Sequence, residues 1–209
     1  MDPDAAPAAA AAVSFTRDEL QGYRGQPVPD VVGEHPRLLF VGINPGLWSA
    51  AVRAPFGRRG NRFYPALFEA GIVDRVIDAS DGLLDEDRDQ LISRGIGITT
   101  LVEGATARAD ELSALQLKDG AASLTARVRS LQPKVVAMLG ITSFRVAFAR
   151  PRALVGRQPD GLEGAELWVV PNPSGLNAHE SVASLAAAYR EAAVAAGIAV
   201  HPLRRAGRG

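Results

Sequence analysis

Short, unbroken apolar runs recur along the chain, each stopped by glycine or proline, and segments of helical periodicity lie between them. Leu38-Leu39-Phe40-Val41 forms the body of a strand predicted over Arg37 to Val41 that ends at Gly42. Lys134 to Leu139 (KVVAML) and Glu166 to Val170 read the same way, and Gly95 to Val102 (GIGITTLV) predicts a further short strand. Continuous rather than alternating apolar character is expected of strands buried on both faces of a parallel sheet. Helices are expected over Thr16 to Gln21, capped by Thr16, and over Arg62 to Ala70, with Asn61 as N-cap and Phe63, Ala66, Leu67 and Ala70 inward. Others are expected over Asp85 to Arg94, over Asp119 to Leu131 before Pro133, and over Thr142 to Ala149 after Gly140. The last runs from His179 or Glu180 to about Ala196. Asp74 to Gly82 reads as irregular, Thr106 to Gln116 as loop with a turn of helix, and Pro151 to Gly164 as loop. This alternation predicts an α/β fold, a three-layer α/β/α sandwich with a mostly parallel central sheet.

Two of the strands end in similar loops. Gly42-Ile43-Asn44-Pro45-Gly46 follows the first, and Pro171-Asn172-Pro173-Ser174-Gly175-Leu176 follows the last. Open α/β sheets bind ligands beyond the carboxyl ends of their strands, so the two loops are expected to form one cleft. The stretch Gly42 to Gly60 is long for an ordered connection, which points to function. The spacing differs from a dinucleotide fingerprint, and Pro45 removes an amide that a phosphate cradle would use. GxSxG, Walker and HExxH patterns are absent.

Composition narrows the chemistry. The chain of 209 residues suits one domain. Residues 1–15 read as a disordered Ala-rich tail, 16–200 as a single domain and 201–209 as a basic tail. No cysteine is present, which excludes disulfides, thiolate metal sites and cysteine nucleophiles, and the three histidines are far apart, so no metal or other cofactor is expected. No apolar run is long enough for a membrane span, and the N-terminal stretch lacks a basic n-region, so a cytoplasmic location is the default. Charge balances at 23 against 23, unlike a protein that coats nucleic acid without specificity.

The two loop motifs, GINPGL and NPSGL, together with APFGRRGNRFYPALFEAGI, GITTLVEGATARADELS, VVAMLG and LWVVPNPSGLNAH, resemble the mismatch-specific uracil-DNA glycosylase family, the branch of the uracil-DNA glycosylase superfamily that includes thymine-DNA glycosylases. The resemblance spans Arg37 to Gly197. It implies a monofunctional hydrolase acting in DNA repair. Such an enzyme cleaves the N-glycosidic bond of uracil mispaired with guanine in double-stranded DNA, ethenocytosine and thymine being further candidates, after flipping the nucleotide out of the duplex. Neither Lys118 nor Lys134 lies in a matching motif, so no lyase step is expected, and a monomer is the default for a cleft that admits duplex DNA.

The resemblance also implies roles. Asn44 positions the attacking water; its amide can donate and accept, but is a poor proton acceptor. Ile43, Phe56, Ser49 and Thr100 belong to the base pocket: Phe56 stacks on the base, Ser49 lies near the pyrimidine C5 region, and Thr100 either assists water placement or is a buried strand-end residue. Gly42, Pro45, Gly46, Asn172 and Ser174 shape the loops. Leu176 is the wedge that fills the space of the flipped nucleotide, with Gly175 and Asn177 facing the partner base. Asn177 also reads as N-cap of the last helix, with Glu180 completing a capping box. Arg53, Arg58 and Arg59 either contact phosphates or form a solvated basic loop, and Arg62 is expected to be partly structural. His179 matches no catalytic position. A non-catalytic damaged-DNA binding module of the same fold is the alternative; it would need the stacker and the wedge but not the water-positioning amide. A nucleoside hydrolase, for which the wedge has no purpose, is weaker still.

Overall fold

The computed structural model describes residues 13–175, 177 and 180–202. Five strands, β1 (Leu38–Gly42), β2 (Ile96–Thr100), β3 (Val135–Leu139), β4 (Gly156–Arg157) and β5 (Glu166–Val170), form one sheet in the order β2-β1-β3-β5-β4. All pairings are parallel except β4 with β5. The apolar runs resolve into two faces. Leu38 and Phe40 join one core with Ile96, Ile98 and Val135, while Leu39 and Val41 join another with Val136 and Met138. Helices α3 (Phe63–Glu69), α4 (Asp85–Ser93) and α7 (Val182–Ala195) supply the first core, and α5 (Ala114–Leu131) and α6 (Ile141–Ala147) the second. The three-layer sandwich is therefore as expected.

The strand order places β1 between β2 and β3. The chain leaves β1 to one side and returns past it to the other, so the order reverses there and a crevice opens at the carboxyl ends of β1 and β3.

Several boundaries differ from the sequence reading, each for a local reason. The stretch after Gly42 is not all loop, since α2 (Leu47–Ala51) packs Leu47 and Ala50 against Leu20, Tyr23 and Val28. Helix α5 begins at Ala114 rather than Asp119, because Ser113 and Gln116 form a reciprocal capping box. Gly120 sits inside it, where a Cβ would lie 2.5 Å from the Leu101 carbonyl. The expected loop before Gly164 contains β4. Helix α7 starts at Val182 and is capped by Ser181 bonding Ser184, so Asn177 is not its N-cap. Thr16 caps α1 (Arg17–Gln21) with a capping box completed by Glu19, as expected of the cap. Phe15, assigned to the tail, packs edge-on to Trp48 and Tyr23 at 5.2 and 6.0 Å between centroids. His201, assigned to the other tail, bonds Asp74 at 2.6 Å. The rest of both tails lies outside the described residues apart from Val13, Ser14 and Pro202.

Candidate active site

A cavity of about 160 Å³ opens where the strand order reverses. The loop after β1 contributes Gly42, Ile43, Asn44, Pro45 and Gly46 to its wall, and the loop after β5 contributes Asn172 and Ser174. Ser49, Phe56, Arg58 and Thr100 complete this part, with Leu139 at the end of β3. The two loops therefore meet in one cleft. Each of the five residues expected to hold the base or the water lies on its wall.

Asn44 is held by its amide nitrogen. Nδ2 donates to the carbonyls of Pro45 and Gly104, both at 3.1 Å, and to Thr106 Oγ1 at 2.8 Å. Thr106 Oγ1 in turn donates to the Arg108 carbonyl at 2.8 Å, so its proton is committed and it can only accept from Asn44. All three neighbours are acceptors, which fixes the orientation of the amide: nitrogen toward the Gly104–Thr106 loop, Oδ1 away from it. Among the described residues Oδ1 has no protein donor, so it is an acceptor available to a water in the cavity. Gly104 and Thr106 escaped the sequence reading because a polar threonine in a polar stretch carries no pattern of its own.

Phe56 adopts φ 56°, a left-handed conformation that a bulky residue enters only under constraint. The constraints are visible. Ser49, buried, accepts the Gly57 N–H at 3.2 Å, and Tyr64 donates its hydroxyl to the Pro55 carbonyl at 3.0 Å. Beneath the ring lies Phe63, stacked at 4.0 Å with 25° between planes. Gly42 permits the arrangement, since a Cβ there would come within 3.2 Å of Phe56 Cζ. Ser49 thus lines the cavity and also braces the loop that presents the ring. Thr100 reaches the same wall, with its Cγ2 3.6 Å from that hypothetical Cβ.

In the second loop, Asn172 Oδ1 accepts the Ser174 N–H at 2.9 Å, an Asx turn. Arg62, expected to begin the helix that follows Asn61 and to be partly structural there, is instead the N-cap of α3, and its structural role lies in the other loop: it binds the carbonyls of Ser174 and Asn177 through Nη2 and that of Glu180 through Nη1. Gly175 and Asn177 lie off the cavity wall. Leu176 and His179 lie outside the described residues. Of the three arginines expected at phosphates, only Arg58 lines the cavity. Arg59 pairs with Asp81 at 3.4 Å and sits 5.8 Å over the Trp48 ring, and Arg53 occupies a left-handed turn, φ 54°, away from the wall.

One carboxylate on the wall was not anticipated. Asp30 accepts the Thr99 hydroxyl at 2.8 Å and lies 3.9 Å from Arg127, which also donates to Thr99 Oγ1 and the Thr100 carbonyl and pairs with Glu103. Burial pushes the Asp30 carboxyl above its usual range, against the Thr99 hydroxyl and Arg127. No sequence signal marks Asp30, because a lone aspartate between Pro29 and Val31 looks like any turn residue. Its network fastens the end of β2, and hence Thr100, to α5.

A strand-order switch with an oriented amide and an aromatic ring on one wall defines an α/β protein with its cleft at the carboxyl ends of the strands. The chain belongs to the uracil DNA glycosylase superfamily, whose family model matches residues 29–195. A DNA glycosylase-type function, with DNA as the substrate, goes with that membership. Among solved structures, the chain is similar to one from Methanosarcina acetivorans described as "a putative Uracil DNA glycosylase", with 16% identity, a TM-score of 0.56, and 80% of this chain and 97% of that chain covered. At that identity the likeness speaks for the fold.

Proposed function

We propose that this protein is a monofunctional glycosylase that removes uracil mispaired with guanine in duplex DNA. The observation that carries this reading is the clamped Asn44 amide, whose Oδ1 is the end left to hold a water. The flipped base lies against Phe56, with Ile43, Ser49 and Thr100 around it. Water held by Oδ1 attacks C1′ as the C1′–N1 bond breaks; the bonding pair leaves with the base, and the water gives up a proton to solvent. An amide accepts that proton poorly, so departure of the base runs ahead of attack and the reaction is slow beside one assisted by a carboxylate. A mismatched pyrimidine costs less to unstack than a paired one, which favours G:U over A:U. Ethenocytosine and thymine are further candidates, with Ser49 the residue nearest the question of substituent size.

The test is a labelled duplex carrying one G:U pair, incubated with protein in excess and then treated with alkali to cut at abasic sites. Strand breaks are expected with wild type and not with Asn44→Ala, which should still bind the duplex. Binding without breaks in wild type would identify a non-catalytic module of the same fold instead.

A further inference from the structure

The clamp on Asn44 has a support that the chemistry above does not use. Two of the three acceptors of its amide nitrogen, the Gly104 carbonyl and Thr106 Oγ1, belong to the loop that leaves β2. This loop is tied to its surroundings unevenly. Leu101 and Val102 donate their N–H groups to the carbonyls of Gly42 and Ile43 at 2.8 and 2.9 Å, which continues the pairing with β1 past the end of β2. Ala105 and Thr106 donate theirs to the carbonyls of Gln26 and Pro45 at 3.0 and 3.1 Å. Between these pairs lie Glu103 and Gly104. Among the described residues, neither of their N–H groups has a backbone partner.

Arg127, from α5, bridges that gap. Its Nη1 donates to Thr99 Oγ1 at 2.7 Å and to the Thr100 carbonyl at 3.0 Å, and its Nη2 donates to Glu103 Oε1 at 3.3 Å. One guanidinium thus holds three of the five residues from Thr99 to Glu103, and the last of them precedes Gly104. A planar fork suits this task, since its N–H groups point at several acceptors in fixed directions. Thr99 donates its hydroxyl to Asp30 at 2.8 Å, so its oxygen is left to accept from Arg127, and the Asp30 carboxylate lies 3.9 Å from the guanidinium. The Glu103 pair is open to solvent and adds little to stability, so its consequence is the placement of the Gly104 carbonyl, not the survival of the fold.

We propose that Arg127 is a positioning residue for Asn44. By fixing the turn at Glu103 and Gly104 it keeps the Gly104 carbonyl and Thr106 Oγ1 against the amide nitrogen, and so keeps Asn44 Oδ1 as the end left to the water. It touches neither the base nor the reacting atoms. Its effect on rate rests on the glycosylase reading above; its effect on the amide does not.

The experiment compares wild type, Arg127→Met, Arg127→Lys and Arg129→Met. Arg129 lies on the same helix and pairs with Glu163 at 2.9 Å, so its variant removes an arginine ion pair of α5 without touching the clamp. NMR on isotope-labelled protein gives the solvent-exchange rate of the Asn44 side-chain amide protons, whose signals are assigned by their loss in Asn44→Ala. Single-turnover excision from a G:U duplex and affinity for that duplex are measured alongside. Arg127→Met is expected to speed amide exchange roughly tenfold and to slow excision roughly tenfold or more, with affinity within about threefold of wild type. Arg127→Lys, which keeps the charge without the fork, should recover part of both, and Arg129→Met should match wild type. Unchanged Asn44 exchange in Arg127→Met would overturn the proposal. So would excision slowed equally by Arg129→Met, or lost through affinity alone. Should Arg127→Met not fold, Arg127→Lys decides: Asn44 exchange within about twofold of wild type would overturn the proposal, and faster exchange would support it. If wild type cuts no uracil substrate, the glycosylase reading falls, while the exchange rates still decide whether Arg127 positions Asn44.

Discussion

Asn44→Asp would put a proton acceptor where the amide now stands, in a cavity whose other carboxylate, Asp30, is engaged by Thr99, yet the surroundings of Asn44 oppose the exchange. One carboxylate oxygen must take the place of Nδ2, which lies 3.1 Å from two carbonyls and 2.8 Å from the Thr106 hydroxyl. The Thr106 proton can swing to the carboxylate, but the Arg108 carbonyl then loses its donor. The two carbonyls have no proton to offer. Two bonds worth about 1 kcal/mol each are lost, and acceptors left facing a carboxylate add about 1–3 kcal/mol, so the total is about 3–5 kcal/mol. For a chain of this size that corresponds to a melting temperature lower by roughly 6–20 °C. Protonation restores a donor, so the folded-state pKa of the new carboxyl lies above its unfolded value near ~3.9. The pH-dependent part of the penalty is therefore absent below the unfolded value and complete above the folded one, while one of the two lost bonds stays lost at any pH because a carboxyl has a single O–H. Thermal melts of wild type, Asn44→Asp and Asn44→Ala across acid to neutral pH measure this, with single-turnover excision alongside. Asn44→Ala loses the same bonds without the charge and should melt between the other two at neutral pH. Excision by Asn44→Asp should stay below wild type. A variant that melts within about 2 °C of wild type at neutral pH and excises faster would refute the assigned amide orientation.

Phe56→Gly should raise KM for uracil-containing DNA roughly tenfold or more, since base–aromatic stacking is worth about 1–3 kcal/mol. Because Phe56 sits at φ 56°, the glycine variant should melt higher than Phe56→Ala, and the reverse order would contradict the strain argument. Gly120→Ala should destabilise by about 1–3 kcal/mol in a denaturant melt, because the new Cβ meets the Leu101 carbonyl at 2.5 Å; an unchanged midpoint would mean that β2 and α5 can part freely. Asp74 bonds His201 and Arg94, each at 2.6 Å, and the His201 contact is the larger cause holding its carboxyl below the usual range. Its contribution is present above the unfolded carboxyl value and is lost as pH falls through the lowered folded value, so Asp74→Asn should flatten the acid limb of a stability–pH curve; superimposable curves would argue against it.

The layers of the fold were legible because β1, β3 and β5 are short apolar runs with firm stops at glycine or proline, and no competing local pattern crosses them. The pocket residues were legible for a different reason. Asn44, Phe56 and Ser49 sit in a distinctive stretch that carries a family likeness, and geometry alone would have singled out only Asn44. What stayed hidden depends on contacts between distant positions. Asn44 finds Gly104 and Thr106 some sixty residues away, and Arg62 finds Asn177 more than a hundred away. Neither pairing leaves a mark on local periodicity. The late placement of α5 has a local cause: Thr106 to Gln116 reads as polar loop, and the Ser113–Gln116 capping box that starts the helix lies inside that stretch. Asn177 was read as a cap because Asn before an apolar helix usually is one; Ser181, three residues before Ser184 and nearer to the first helical turn, makes the closer match.

The reversal of strand order explains why the candidate site residues divide between two loops instead of lying along one. Where the chain turns from β1 toward β2, its loop is free to fold back over the sheet edge, and α2 and the Phe56 turn occupy that space. Where β5 delivers its loop across β3, there is no further strand to carry it onward, so the backbone must be held from outside. Arg62, the N-cap of α3, supplies that hold. Its neighbour Phe63 supports the ring of the first loop. Arg62, the N-cap, and Phe63, the first residue of the helix, reach different neighbours, so this pair serves the two loops separately. The start of α3 therefore ties the ring of the first loop to the backbone of the second.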